Sequence, residues 1–449
     1  MAISRETIEK KSLGYTLLKP YVNRVTKIFF RTTSYNYENV PTDEILIYAI
    51  NHQNALMDAL AIISTAKTQP VFLARADIFK KKAIAKILTF FKILPIYRIR
   101  DGKESLGNNS AIFHKTIDVL KNKNGLVILP EGTHGGLRML KTLKKGISRI
   151  AFEAEESNDF KLNIKIIPVG LDWSNYQNFR SKLFVYYGEP INVSDYYEEY
   201  KKNPPRAMNL LRERLSVELK KYMINIENEE YYDMFNHIRY IYLPEMIKKL
   251  GFKDKKQPNQ LFAEQNIIKN LNDYVTENPV EAEELNKNTI RYSELLNKLN
   301  LRNWVLQKGK FNVLSLIGQT LLLVLFFPLY FVGGLVNYLP YKTPVWASKK
   351  IQDPQFVSSV KVVISLLIFP IYYIIITVAS TFFIESFWVH LAIPVLMPFA
   401  GLFAFHYYIE AKKMFARIRF KLKTLLQNKD LIELKDLYKT IVQKMESIS

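Results

Sequence analysis

Three stretches of this chain, 311–341, 362–384 and 386–409, contain no Asp, Glu, Lys or Arg. At 31, 23 and 24 residues, each exceeds the roughly 18–20 apolar residues needed to cross a bilayer. A core helix of a soluble protein is rarely apolar on every face over such a length, so the C-terminal part reads as an α-helical membrane region. Charge sharpens its expected topology. Lys342, Lys349, Lys350 and Lys361 face one acid, Asp353, after the first stretch, and six basic residues from Lys412 to Lys423 come after the third. Only Glu385 separates the second from the third. The positive-inside rule then puts both basic segments in the cytoplasm and Glu385 at the outer turn of a hairpin. The first stretch must start and finish on one side, so a re-entrant or interfacial hairpin is expected over 311–341, broken at Pro328 or at Gly333-Gly334. True spans are expected at 362–384 and 386–409.

The net charge of +21 suits an anionic partner, nucleic acid or an anionic lipid surface. The basic residues are spread along the chain rather than gathered on one recognition helix, so membrane headgroups are expected and nucleic acid is not. With no cysteine, disulfides and thiolate metal sites are excluded. Residues 1–12 are charged and lack an apolar core and cleavage site, which argues against a secretory signal and for a cytoplasmic catalytic part in an inner membrane of bacterial type.

Before the membrane region, short apolar runs alternate with helical stretches. The runs are 45–50, 71–74, 93–97, 126–129, 164–169 and 183–187, with helix-like segments such as 54–66, 78–91 and 111–121 between them. This predicts an α/β fold, a mostly parallel sheet flanked by helices. Residues 12–31 mix apolar and basic positions and fit an interfacial amphipathic helix or an ordinary packing helix equally. The expected organisation is N-terminal helices over 1–35, an α/β domain over 36–225 and a helical connector over 226–310. The membrane region (311–409) and a basic amphipathic tail (410–449) complete it.

The polar residues just after these runs carry the chemistry. His52, Arg75, Arg98, Glu131 and Asp172 come after successive runs, and a parallel sheet would gather them at one edge. His52, preceded by Asn51 and with Asp58 downstream, fits a histidine that takes a proton from an alcohol while a carboxylate holds its tautomer. It also fits a solvated residue near a helix start. The stretch Leu129-Pro130-Glu131-Gly132-Thr133 ends a buried strand in a carboxylate and a glycine turn able to approach an anion.

Together, Asn51-His52 with Asp58 and Leu129-Pro130-Glu131-Gly132-Thr133 resemble the glycerophospholipid acyltransferase family, whose members carry a His-x4-Asp motif and a Phe-Pro-Glu-Gly-Thr-Arg motif. Pro95-Ile96-Tyr97-Arg98-Ile99-Arg100 and Ile167-Pro168-Val169-Gly170 are similar to two lesser motifs in the family's order. The resemblance covers roughly 12–220. It implies a membrane-bound O-acyltransferase moving a fatty acyl group from acyl-CoA or acyl-ACP to glycerol 3-phosphate or 1-acylglycerol 3-phosphate, with neither cofactor nor metal. His52 would be the general base, Asp58 its partner, and Asn51, Glu131, Gly132 and Thr133 would shape the acceptor site. Arg98 and Arg100 would bind phosphate, unless they are solvated surface charges. Two departures matter. Five residues, not four, separate His52 from Asp58, which requires His52 to sit in a loop with the helix starting near Asn54. His134 stands where the family has arginine, so Arg138, Lys141 or Lys145 would have to replace that cation. A phosphate-free lyso-aminolipid acceptor, or a non-catalytic lipid-binding protein, are the alternatives.

Overall fold

The computed structural model describes residues 7–97, 108–254 and 256–448. The chain forms two compact units, Met1–Asn225 with Ser348–Val363, and Ile226–Ala347 with Ile364–Ser449.

The first unit is built on one eight-stranded sheet. Its strands are β1 (Phe30–Tyr35), β2 (Leu46–Ile50), β3 (Val71–Arg75), β4 (Ile93–Ile96), β5 (Leu126–Ile128), β6 (Lys165–Trp173), β7 (Ser181–Tyr187) and β8 (Ile191–Asn192). They lie in the order β1-β7-β6-β2-β5-β3-β4, with β8 also pairing β6. The contiguous set β6, β2, β5, β3 and β4 is parallel, β7 and β8 run antiparallel to β6, and β1 is parallel to β7. The expected mostly parallel sheet is therefore present, and β1 and β8 are additions. β1 comes directly after α1 (Leu13–Phe29), where the run Thr32-Thr33-Ser34-Tyr35 favours the extended backbone.

Every residue of β2 is buried, as it must be in a strand covered on both faces. Along it, Ile47 and Ala49 belong to a core shared with Ile166 of β6 and with side chains of three helices. These are α4 (Asn108–Lys121), α5 (Gly146–Glu156) and α7 (Pro204–Lys221), the last preceded by the short α6 (Tyr197–Lys202). Each such apolar side chain contributes roughly 1.5–3 kcal/mol. The helices α2 (Leu56–Thr65) and α3 (Lys82–Phe90) come after β2 and β3, giving the alternation that places the site at the carboxyl edge of the parallel strands.

The second unit is helical: α8 (Tyr232–Lys249), α9 (Asn259–Glu277), α10 (Pro279–Lys298), α11 (Asn303–Lys308), α12 (Val313–Ser348), α13 (Val357–Ser380), α14 (Phe387–Leu425) and α15 (Lys429–Ser447). Among the described residues, three helical stretches are long and apolar enough to cross a membrane: Val313–Ser348, Pro354–Ser380 and Phe387–Leu425. The hairpin expected over 311–341 is not formed. α12 runs unbroken for 36 residues through Pro328, Gly333 and Gly334. Gly333 serves close packing instead, since a Cβ there would lie 2.5 Å from Ala400 O of α14. Asn337 secures the contact, donating its amide to Gly333 O and Met397 O and accepting from the Tyr373 hydroxyl. Neighbouring helices that satisfy polar groups let such helices keep Gly and Pro. The basic stretch after 410 continues α14 without a break.

One backbone contact in the first unit is tight enough to test. A Cβ on Gly170 in β6 would sit 1.9 Å from Tyr222 O, whereas Gly146 has nothing within 4 Å of the same position. Gly170→Ala must push the end of α7 off the sheet and should cost about 3 kcal/mol or more. Gly146→Ala should leave the denaturation midpoint of the full-length protein in detergent nearly unchanged. Equal midpoints for the two variants would refute this account of the packing.

Candidate active site

β2 ends at Ile50, and Asn51 to Ala55 form a loop before α2. His52 is therefore in the loop and Asp58 in the first turn of the helix, as the five-residue spacing requires. The extra residue is absorbed at Ala55, whose φ of 44° and ψ of −123° suit glycine better than alanine. The Met57 N–H donates to Asn54 O at 2.9 Å across this turn.

The Asp58 carboxylate is fully buried and holds four donors. Oδ2 accepts from His52 Nδ1 at 2.9 Å, from the Gln53 N–H at 2.9 Å and from the Asn54 N–H at 2.7 Å. Oδ1 accepts from Trp173 Nε1 at 3.1 Å. An ionised carboxylate only accepts, so this contact requires the proton on His52 Nδ1 and leaves Nε2 as the ring's lone-pair nitrogen. Nothing in the local sequence singles out Trp173. The one signal that could have found it is general: a buried indole N–H needs an acceptor.

The two motif loops are tied together through the backbone of His52. Its N–H donates to Glu131 Oε1 at 2.6 Å, and its carbonyl accepts from the Gly135 N–H at 3.1 Å. Glu131 Oε2 accepts from the Lys141 N–H at 3.0 Å. Glu131 thus clamps the loop, while Gly132, at φ 70°, makes the turn by donating its N–H to Leu129 O. Thr133 and His134 come next, partly buried. The His134 ring stands edge-to-face with His52, 5.4 Å between centroids, and Lys141 Nζ donates to His134 O at 2.7 Å.

Several expected substrate ligands have other partners. Asn51 is buried, donating its amide to Leu171 O at 3.1 Å and accepting from the Leu171 N–H at 2.6 Å. It extends the pairing of β2 with β6, so the acceptor-site role expected for it is corrected to a structural one. Arg138 does not offer its guanidinium as the missing family cation. It is buried, 2.5 Å from Asp172 Oδ1, and donates to Trp173 O as well. Breaking such a pair strands a charge, which rules out a free phosphate ligand at this position. Lys145 is exposed at the start of α5. Arg98 and Arg100 lie outside the described residues. Arg75 is turned onto Asp77 through two contacts of 3.0 and 2.5 Å. Two further residues belong to the loop: the Tyr176 hydroxyl donates to Gln53 Oε1 at 3.0 Å, and Asn54 Nδ2 donates to Tyr176 O at 3.2 Å. Gln53 Nε2 is buried with no hydrogen-bond partner among the described residues.

Burial pushes the Glu131 carboxyl up to about 7, against the lowering pull of the His52 and Lys141 backbone donors. A folded-state pKa above the unfolded value means that the folded chain keeps this proton longer. Its stabilising effect is complete below the unfolded pKa of about 4.5 and is lost as pH rises through about 7. Glu131→Gln removes the titration. The stability difference between parent and variant, measured by denaturant unfolding in detergent, should change from pH 5 to pH 8, with the parent losing stability relative to the variant. A difference independent of pH would contradict the shift.

A family model described as Acyltransferase matches residues 31–172. Two proteins of Saccharomyces cerevisiae (strain ATCC 204508 / S288c) are similar to the chain. Glycerol-3-phosphate O-acyltransferase 1 is 22% identical over 299 residues, 62% of this chain and 38% of that protein. Glycerol-3-phosphate O-acyltransferase 2 is 27% identical over 142 residues, 31% of this chain and 19% of that protein. The matches thus span well under half the length of these relatives. Among solved structures, the 1-acyl-sn-glycerophosphate (LPA) acyltransferase of Thermotoga maritima aligns with a TM-score of 0.32 and 21% identity, over 45% of this chain and 79% of that one. Through residues 31–172, which hold His52, Asp58 and Glu131, the chain is similar to the family described as Acyltransferase.

Proposed function

We propose that the protein is a membrane-bound O-acyltransferase that moves a fatty acyl group from a thioester donor, acyl-CoA or acyl-ACP, to a hydroxyl of glycerol 3-phosphate or 1-acylglycerol 3-phosphate. The observation that carries this reading is the 2.9 Å contact of His52 Nδ1 with the buried carboxylate of Asp58. With Nδ1 so occupied, Nε2 is the base. The acceptor oxygen attacks the thioester carbonyl carbon while its proton passes to Nε2. Collapse of the tetrahedral intermediate breaks the C–S bond, and the proton leaves with the thiolate. Asp58 stabilises the imidazolium that exists between the two transfers.

The anion-binding part of the reading rests on Lys141, whose Nζ donates to His134 O, and, by the sequence motif alone, on Arg98 and Arg100. A phosphate-free lyso-aminolipid acceptor is the second reading, favoured by one observation: Arg138 is committed to Asp172. Purified protein incubated with labelled acyl-CoA or acyl-ACP and each acceptor in turn separates the two. Product from glycerol 3-phosphate or lysophosphatidate supports the first, and product from the lyso-aminolipid alone the second.

His52→Ala should lower turnover by about 10²–10⁴-fold in a protein that still folds, with a lowered melting temperature because buried Asp58 loses one of its four donors. Asp58→Asn should lower kcat more than it alters donor binding. Turnover within tenfold of the parent in His52→Ala would end the general-base assignment.

The catalytic unit is proposed to face the cytoplasm, where acyl donors are found. Ser348–Val363 belongs to that unit and therefore shares its side of the membrane. Lys350 is exposed there, and Ser386 is exposed in the turn before α14. The chain has no cysteine of its own. Lys350→Cys should resist an impermeant thiol reagent in intact cells, and Ser386→Cys should react. Labelling at position 350 from outside would reverse the orientation.

A further inference from the structure

The smaller part of the first unit, Ser348–Val363, runs from the last residue of α12 through the connection into the first two turns of α13 and packs onto both loops that carry the proposed chemistry. Asp353 Oδ2 lies 3.0 Å from His134 Nε2. The Phe356 ring meets the same imidazole edge-on at 5.0 Å between centroids. Ser358, fully buried, donates its hydroxyl to Asn54 Oδ1 at 2.7 Å, and the Asn54 N–H is one of the donors on Asp58. Gln177 Nε2 donates to Pro354 O at 3.0 Å, and Lys361 Nζ donates to Gln177 O at 3.2 Å.

His134 is thereby fixed on the approach to His52. The two rings are nearly perpendicular, at 85°. Their side chains keep 17% and 13% of their exposure, His52 and His134 respectively, so both still reach solvent. With Nε2 of His134 taken by Asp353, its Nδ1 remains for a substrate atom. The segment also carries two buried oxygens, Gln355 Oε1 and Ser359 Oγ, with no hydrogen-bond partner among the described residues. Buried polar atoms are normally paired, and a polar ligand at this wall would pair them.

We propose that Ser348–Val363 forms a wall of the acceptor site, and that Asp353 is the positioning residue that holds His134 so that its Nδ1 accepts a hydrogen bond from a hydroxyl of the acceptor's polar head. The assignment rests on the acyl-transfer reading, and deepens it by placing acceptor recognition on a segment far outside the matched residues 31–172.

Kinetics of the full-length protein in detergent test it, with acceptor and donor varied separately. Asp353→Ala should raise the acceptor KM about tenfold, the loss of one well-positioned hydrogen bond, and leave the donor KM within twofold. Asp353→Glu should restore part of the loss. His134→Ala should raise the acceptor KM similarly, and the double variant should be no worse than His134→Ala alone, because the two residues act through one contact. Multiplying effects in the double variant, or an unchanged acceptor KM in Asp353→Ala, would overturn the proposal. Amide hydrogen exchange gives a readout that does not need turnover. The Gly135 N–H, bonded to His52 O, should exchange faster in Asp353→Ala while α5 amides stay unchanged, and equal rates at Gly135 would also overturn it. A parent protein without turnover on any donor and acceptor would remove the acyl-transfer reading, and the exchange result would still decide whether Asp353 holds the loop.

Discussion

A carboxylate with no exposure at all is the constraint on which the site depends. Burying an ionised group costs several kcal/mol unless it is fully hydrogen-bonded, and Asp58 meets that demand with four donors drawn from separate places. Two are backbone N–H groups of the loop after β2, one is the ring of His52, and one is the indole of Trp173 at the end of β6. None can move far without stranding the charge. The helix start, the loop and the sheet edge are therefore fixed by one side chain, and the ring of His52 is oriented as a consequence. The strained backbone of Ala55 is tolerated in the same way. A φ of 44° on alanine costs on the order of 1–3 kcal/mol, no more than the penalty for leaving a buried anion short of a donor.

The same logic separates residues that look functional from those still available to a ligand. Asn51, Glu131 and Arg138 are polar, lie at the sheet edge and fall in or beside recognised motifs. Asn51 closes a gap between β2 and β6, Glu131 joins the two motif loops through backbone N–H groups, and Arg138 neutralises Asp172 beneath Trp173. Their chemistry is used inside the protein. His52 and His134 instead keep part of their side-chain exposure.

Most of the fold is legible in local sequence, because period and punctuation are local properties. All six apolar runs form strands, and a parallel sheet brings His52, Glu131 and Asp172 to one edge. Phe30–Tyr35 does not read as a strand because it continues a basic, aromatic helix without any turn residue, and only its pairing with β7 makes it one. The unbroken course of α12 is hidden for a related reason. Pro328 and Gly333 signal a break when read alone, but Gly333 is where α14 approaches most closely. Leu171, Asp172 and Trp173, which pair with Asn51, Arg138 and Asp58, lie 34 to 120 residues away from them, and no local pattern specifies them.

The docking of Ser348–Val363 shows how little a contact can do without the fold around it. Ser358 and Asn54 are 304 residues apart in sequence. Closing a free loop of that length costs about 5 kcal/mol beyond a constant term. Four hydrogen bonds at roughly 0.5–1.5 kcal/mol each return a similar sum, so the segment would be only marginally held by its own contacts. It becomes secure once folding of the intervening residues 226–347 has already restricted where its ends can lie. The loop after β2 is held differently, because three of the donors on Asp58 come from residues only 4 to 6 positions away and need no distant closure.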